Sequence, residues 1–204
     1  MHIAITGNIG AGKTTLAQLL SAHYGWEVLY EAVEGNPYLE DFYADMERWS
    51  FNLQIYFLNS RFEQVKTIRE SGRSIIQDRT IYEDAYIFAT NLYRSDNMTE
   101  RDYQTYRSLF DNMVSTVQPP DLLIYLRADL PKLMGQIKKR GRLFEQSISE
   151  DYIRSLNELY EEFSRKYRGG KMLVINVNNL DYAVRPDDLS EIIQQVDERL
   201  AVSL

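Results

Sequence analysis

Cysteine is absent from this sequence of 204 residues, which excludes disulfides and thiolate metal sites. Histidine is nearly absent: only His2 and His23 occur, too few for a histidine-built zinc site. No apolar run approaches the roughly 20 residues that a membrane-spanning helix needs, so no membrane partner is expected. Positive charge is the minority sign, with 23 Lys and Arg against 30 Asp and Glu and a net charge of -7. That balance argues against a nucleic-acid polymer as partner. Internal repeats, low-complexity tracts and linkers are also missing, so residues 1–204 read as a single domain. The first strand pattern begins at residue 2, which leaves no signal peptide to expect and makes cytoplasm the expected location. What is present is ordinary for a folded chain: 44% hydrophobic and 26% charged residues.

One stretch is not ordinary. Gly7-Asn8-Ile9-Gly10-Ala11-Gly12-Lys13-Thr14 fits G-x-x-x-x-G-K-[ST], with Thr15 directly behind. Glycines let the backbone turn its N–H groups inward onto phosphate oxygens. Lys13 can reach the terminal phosphates, and the Thr14 hydroxyl suits a magnesium ion. A helix must follow, and its N-terminal dipole favours the same anion. The flanks agree: 2–6 is a short apolar strand, and 13–23 has helical spacing up to Gly25. These features imply a bound nucleoside triphosphate.

Strand and helix patterns alternate along the rest of the chain. Strands are predicted at 26–30, 74–78, 121–126 and 172–177, and helices at 47–70, 81–93, 99–117, 149–167 and 186–200. Another helix starts at Asp129 and Pro131 and ends in Lys138-Lys139-Arg140-Gly141-Arg142, while Asn36-Pro37 has the form of a helix cap with a first-turn proline. Such alternation predicts an α/β fold, a five-stranded parallel sheet with helices on both faces. Residues 49–58 are apolar nearly all round, Asn52 and Gln54 excepted. A helix with no solvent face needs cover on two sides, which predicts a homodimer through the 47–70 helix. Gln54 would then be a polar group in a dry place, in need of partners.

Three charged groups fall at strand ends beside the phosphate loop: Glu31, Asp78 and Arg79. Asp78 suits a metal role or a helix cap. Glu31 suits a general base for a hydroxyl, or is a plain loop acid. Arg79 can bridge Glu31 and a phosphate, or form a structural ion pair with Glu31 or Asp84. The basic cluster at 138–142 suits a mobile lid over a triphosphate, or a solvated helix end. Asp-x-x-Gly, Asn-Lys-x-Asp and Leu-Ser-Gly-Gly are all missing, which removes switch GTPases and transport ATPases. The acceptor is then a small molecule held within the same domain. A nucleoside monophosphate kinase and a non-catalytic nucleotide-binding module are the alternatives. Glu31 opposes the first by repelling an acceptor phosphate, and the complete Glu31, Asp78 and Arg79 set opposes the second.

From the phosphate loop to about Ile148 the sequence resembles the deoxynucleoside kinases, in particular the bacterial deoxyadenosine/deoxyguanosine kinases. The resemblance rests on the loop, on Tyr30-Glu31-Ala32-Val33, on Asp78-Arg79-Thr80 and on the segment 140–146. It implies a P-loop NTPase-type fold with a short basic lid at about 136–148, and ATP and Mg²⁺ as donor and metal. It also implies a deoxynucleoside accepting phosphate at its 5′-hydroxyl. By the same resemblance Glu31 is the base, Asp78 serves the metal and Arg79 holds the base and the 5′-oxygen. Gln54 pairs with the nucleobase, Arg61 and Asp84 stand at the far end of the base pocket, and Tyr43 and Glu145 hold the sugar 3′-hydroxyl. Arg140 and Arg142 fall on lid arginines, while Gln136 stands where many members carry another. The donor-base loop falls around 178–182. The Arg61 and Asp84 pair goes with purine or deoxycytidine substrates, so purine deoxynucleosides, deoxyadenosine first, are expected.

Overall fold

The computed structural model describes residues 1–31, 33, 35–142, 145 and 148–201. Strands β1 (His2–Gly7), β2 (Glu27–Leu29), β3 (Ile75–Asp78), β4 (Leu122–Arg127) and β5 (Lys171–Asn176) form one sheet in the order β2-β3-β1-β4-β5. All four pairings are parallel, with Ile5 opposite both Asp78 and Ile124. The central strands are apolar in both directions because helices cover them, as a parallel sheet requires. Ile3, Ile5, Ile76, Leu123 and Ile124 are fully buried, and each buried aliphatic of this size stabilises the fold by about 1.5–3 kcal/mol.

The helices are α1 (Lys13–Tyr24), α2 (Leu39–Ala44), α3 (Met46–Ser71), α4 (Ile81–Glu83), α5 (Thr90–Arg94), α6 (Glu100–Val114), α7 (Leu130–Arg140), α8 (Glu150–Lys166) and α9 (Pro186–Ala201). Their ends follow local chemistry. Gly25, Gly72 and Gly141 close α1, α3 and α7 in the left-handed conformation, which costs glycine least. Thr99 and Ser149 accept from the N–H groups of Asp102 and Tyr152 at the starts of α6 and α8.

Among the boundaries that differ from the sequence reading, four have a clear local cause. Asn36 does not cap a helix; its Oδ1 accepts from Tyr38 N at 2.9 Å, an Asx-type turn, and α2 begins at Leu39. The long helix starts one residue early because the Asp45 side chain accepts from Arg48 N at 3.1 Å. The 81–93 helix is split: Asp84–Ala89 is a π-helical stretch between α4 and α5, with the Thr90 hydroxyl donating to Ala85 O at 2.8 Å. Helix α6 stops at Val114, where the Ser115 and Thr116 hydroxyls take the carbonyls of Asn112 and Met113.

The apolar stretch at 49–58 finds much of its cover within the chain. Leu53, with Trp49 and Phe57 against it, joins Leu39 and Phe42 of α2. Leu58 joins Tyr106 and Phe110 of α6, and Phe51, Ile55 and Phe62 remain partly buried there. The strand ends nearest the phosphate loop gather one edge of the sheet. Glu31 follows β2, Arg79 follows β3 and the loop itself follows β1. That edge is where parallel α/β sheets place their ligands.

Candidate active site

The phosphate loop is tied down before any ligand arrives. Lys13 Nζ donates to Gly7 O at 2.7 Å and Asn8 O at 3.1 Å. The Asn8 side chain donates to Ile153 O at 2.9 Å and to Asn157 Oδ1 at 3.2 Å, and accepts from Ile9 N at 2.8 Å. It thereby clasps the loop to α8. The Tyr182 hydroxyl donates to Ala11 O at 3.3 Å and Gly12 O at 3.2 Å. Gly12 suits this place: its φ is +93°, strained for any side chain, and a Cβ would lie 2.2 Å from that hydroxyl and push it off the loop. Burial and the nearby Arg79 charge bring the Lys13 ammonium down to about 8, against the pull of Glu83, Asp78 and Glu31.

Thr14, in the first turn of α1, donates its hydroxyl hydrogen to Asp78 Oδ2 at 2.5 Å. The other Asp78 oxygen is buried without a hydrogen bond. One hydroxyl, one carboxylate and a spare oxygen beside a phosphate cradle fit a Mg²⁺ site. No group of three acids or histidines that could hold a metal alone occurs among the described residues. A magnesium ion would draw its remaining ligands from phosphate and water, as is usual for it.

Glu31 sits between two arginines. Arg79 Nε lies 2.7 Å from its Oε1, and Arg61 Nη2 donates to the same oxygen at 3.0 Å. Burial pushes its carboxyl up, but Arg79, Arg61, Lys13 and Arg142 outweigh it and hold the pKa at about 2. Arg79 has a φ of +77°, a left-handed conformation that costs a non-glycine residue about 1–3 kcal/mol. Its Nη1 also approaches the Tyr160 hydroxyl at 3.1 Å and Glu83 Oε1 at 3.4 Å.

Gln54, Arg61 and Asp84 gather at the other end. Arg61 Nε is 3.7 Å from Asp84 Oδ2, an ion pair too long for a hydrogen bond. Burial raises the Asp84 carboxyl to about 7, although Arg61 and Arg79 pull it down. Gln54 is 3% exposed, and its Oε1 has no partner. Arg140 grips Glu145 through Nη2 at 2.6 and 2.7 Å and Nε at 3.0 Å, and Arg142 Nη1 reaches Glu145 Oε1 at 3.4 Å. The two arginines expected in the lid are thus paired with the acid expected at the sugar. Within the expected lid at 136–148, Leu143, Phe144, Gln146 and Ser147 lie outside the described residues.

A cavity of about 850 Å³ joins these parts. Ile9, Gly10, Ala11, Gly12, Lys13, Thr14, Thr15, Glu31, Tyr43, Gln54, Asp78, Arg79, Asp84, Arg140, Arg142 and Glu145 all line it. Gly7, Asn8 and Arg61 do not. Arg61 is fully buried and acts from behind the wall, through Glu31 and Asp84. Sequence reasoning missed Glu83 and Tyr160 behind Arg79. Thr80-Ile81-Tyr82-Glu83 does carry a capping-box spacing, a usable signal for Glu83. Nothing local marks Tyr160.

Parallel sheet, phosphate loop, paired threonine and aspartate, and an arginine-held acid across one cavity together define a P-loop phosphotransferase. The chain belongs to the deoxynucleoside kinase family, whose model matches residues 3–201. It is 40% identical over 196 residues to the deoxyadenosine/deoxycytidine kinase of Bacillus subtilis (strain 168), covering 95% of this chain and 90% of that one. It is 42% identical over 193 residues to the deoxyadenosine kinase of Dictyostelium discoideum, covering 95% and 78%. A deoxyadenosine kinase from M. mycoides, solved with the products dCMP and a flexible dCDP bound, superposes with a TM-score of 0.87 at 35% identity. That match covers 97% of this chain and 100% of the other. The molecule is therefore a deoxynucleoside kinase.

Proposed function

We propose that this enzyme moves the γ-phosphoryl group of ATP to the 5′-hydroxyl of a purine deoxynucleoside, deoxyadenosine before deoxyguanosine, with deoxycytidine also accepted. The observation that carries the reading is the position of Glu31. It shares one cavity with Lys13, feels the Lys13 charge, and is held ionised by Arg79 and Arg61. An ionised acid facing a phosphate cradle receives a neutral hydroxyl, whereas it repels an acceptor that already carries phosphate. The relatives named for deoxyadenosine and deoxycytidine support the base preference.

In this reading the 5′-hydroxyl docks on Glu31. Triphosphate charge competes for Arg79 and Lys13, which loosens their hold on Glu31 and raises its proton affinity as the hydroxyl attacks. Lys13, Arg79, Arg140 and Arg142 face the charge on the migrating group, in a transition state that asks for positioning more than covalent help. Thr14 and Asp78 would hold Mg²⁺, which would supply neutralisation of phosphate charge. Tyr43 and Glu145 take the sugar 3′-hydroxyl. An amide at Gln54 offers donor and acceptor side by side, matching the adenine edge. The enzyme works as a cytoplasmic homodimer, with a second copy covering the partly buried Phe51, Ile55 and Phe62.

A coupled ADP-release assay tests the reading. The four deoxynucleosides and the 5′-monophosphates of deoxyadenosine and thymidine serve as acceptors. Deoxyadenosine is expected to give the highest kcat/KM, and the monophosphates only background. Turnover on a monophosphate in preference to every nucleoside would overturn it.

A further inference from the structure

Arg79 occupies a place that its own chemistry does not secure. Its backbone lies in the left-handed region, with a φ of +77°, where a side chain is sterically disfavoured. Its partner in the reaction is Glu31, 2.7 Å from Nε. That partner loses its charge once it accepts a proton. A guanidinium held by Glu31 alone would be released as the phosphoryl group moves.

Two residues outside the reacting set supply the missing hold. Glu83 is fully buried, and its two oxygens divide their work. Oε2 accepts from Thr80 N at 2.8 Å, which caps the short helix α4. Oε1 is surplus to that cap. It accepts from the Tyr160 hydroxyl at 2.7 Å and lies 3.4 Å from Arg79 Nη1. Tyr160 Oη in turn is 3.1 Å from the same Nη1. Tyr160 arrives from α8, and its ring stacks on Tyr125 of β4, centroids 5.9 Å apart and planes 8° from parallel. The hydroxyl is therefore anchored to the sheet. Phe88 closes the arrangement, with the Arg79 Cζ 4.6 Å from its ring centroid. A buried carboxylate is costly unless a charge and hydrogen bonds answer it, and Arg79 is the cation in contact with Glu83.

We infer that Glu83 and Tyr160 are positioning residues for Arg79, a clamp that fixes its Nη1 side so that the guanidinium stays in place when Glu31 is neutralised. The inference rests on the role given to Arg79 above. Neither residue lines the cavity, so neither touches substrate. The clamp acts on turnover rather than on binding.

Steady-state kinetics with ATP and deoxyadenosine test it on Tyr160→Phe and Glu83→Gln, each made in the natural enzyme and in an Arg79→Lys background. Tyr160→Phe keeps the stacked ring and removes one oxygen. It is expected to lower kcat about tenfold, with both KM values within about twofold and the thermal midpoint little moved. In the Arg79→Lys background there is no guanidinium to hold, so the added loss from Tyr160→Phe should shrink to less than about twofold. Glu83→Gln should follow the same pattern with a larger loss; if it does not fold, Tyr160→Phe decides alone. An undiminished kcat for Tyr160→Phe, or an equal loss in both backgrounds, overturns the clamp. An Arg79→Lys enzyme that turns over normally overturns the role of Arg79 itself, and the clamp with it.

Discussion

At the phosphate end of the cavity, Lys13, Asn8 and Thr14 are all bonded to protein groups. At the base end, Gln54 Oε1 and Asp84 Oδ2 belong to residues that line the cavity and are buried without a hydrogen-bond partner, with Arg61 behind them 3.7 Å from Asp84. The phosphate end has such atoms too: Asp78 Oδ1, on the side where a metal would bind, and Arg79 Nε, which is ion-paired with Glu31. Every nucleoside triphosphate presents the same phosphates, so a cradle for them can be finished in advance. Nucleobases differ, and a pocket that discriminates leaves buried groups for the right base to satisfy. A wrong base leaves them unpaired, at about 1–3 kcal/mol each. On the proposed assignment of the site, preorganisation serves catalysis at one end, and the unpaired groups serve choice at the other.

The contrast can be broken at either end. The larger effect is expected from Gln54→Leu, which removes an orphaned amide. Its kcat/KM for deoxyadenosine should fall roughly tenfold or more, while its thermal midpoint in the absence of substrate holds or rises. Asn8→Ala at the finished end should lower both ATP affinity and thermal midpoint. If Gln54→Leu is as destabilised as Asn8→Ala, the two ends do not differ in the way argued. A smaller effect should appear with pH. The Lys13 ammonium stands at about 8 in the free enzyme, and ATP selects its charged form. The charge is complete below that value and lost as pH rises through it. The Kd for ATP, by calorimetry, should therefore rise about threefold between about pH 7.5 and 8.5. A flat profile would mean that Lys13 keeps its charge in the loop.

The sequence made the phosphate end more legible than its supports. Gly7 to Thr14 is a local pattern, and the alternating apolar runs show where strands and helices fall. Glu31, Asp78 and Arg79 could be placed because strand ends are countable. The clasp from Asn8 to Ile153, and the hydroxyl of Tyr160 beside Arg79, join residues that are 145 and 81 positions apart. Such pairs leave no periodic trace. The π-helical stretch at Asp84 was equally hidden, since one extra residue in a helical turn does not disturb an apolar run. That stretch opens with an acid of the base end, in keeping with the concentration of π-turns at functional sites. The apolar face of 49–58 predicts a partner subunit, and α2 and α6 cover much of that face within the chain while Phe51, Ile55 and Phe62 stay partly buried. Periodicity shows that a face is buried and is silent on what buries it.

Glu31 belongs to neither end. It touches Arg79 of the phosphate side and Arg61 of the base side through one oxygen, and the proposed proton transfer happens there. The most direct test is kcat and KM for Glu31→Gln with ATP and deoxyadenosine. The predicted result is a kcat lower by about 10²–10⁴-fold, with KM for deoxyadenosine changed far less. An enzyme that keeps its full kcat with glutamine at this position would contradict the account.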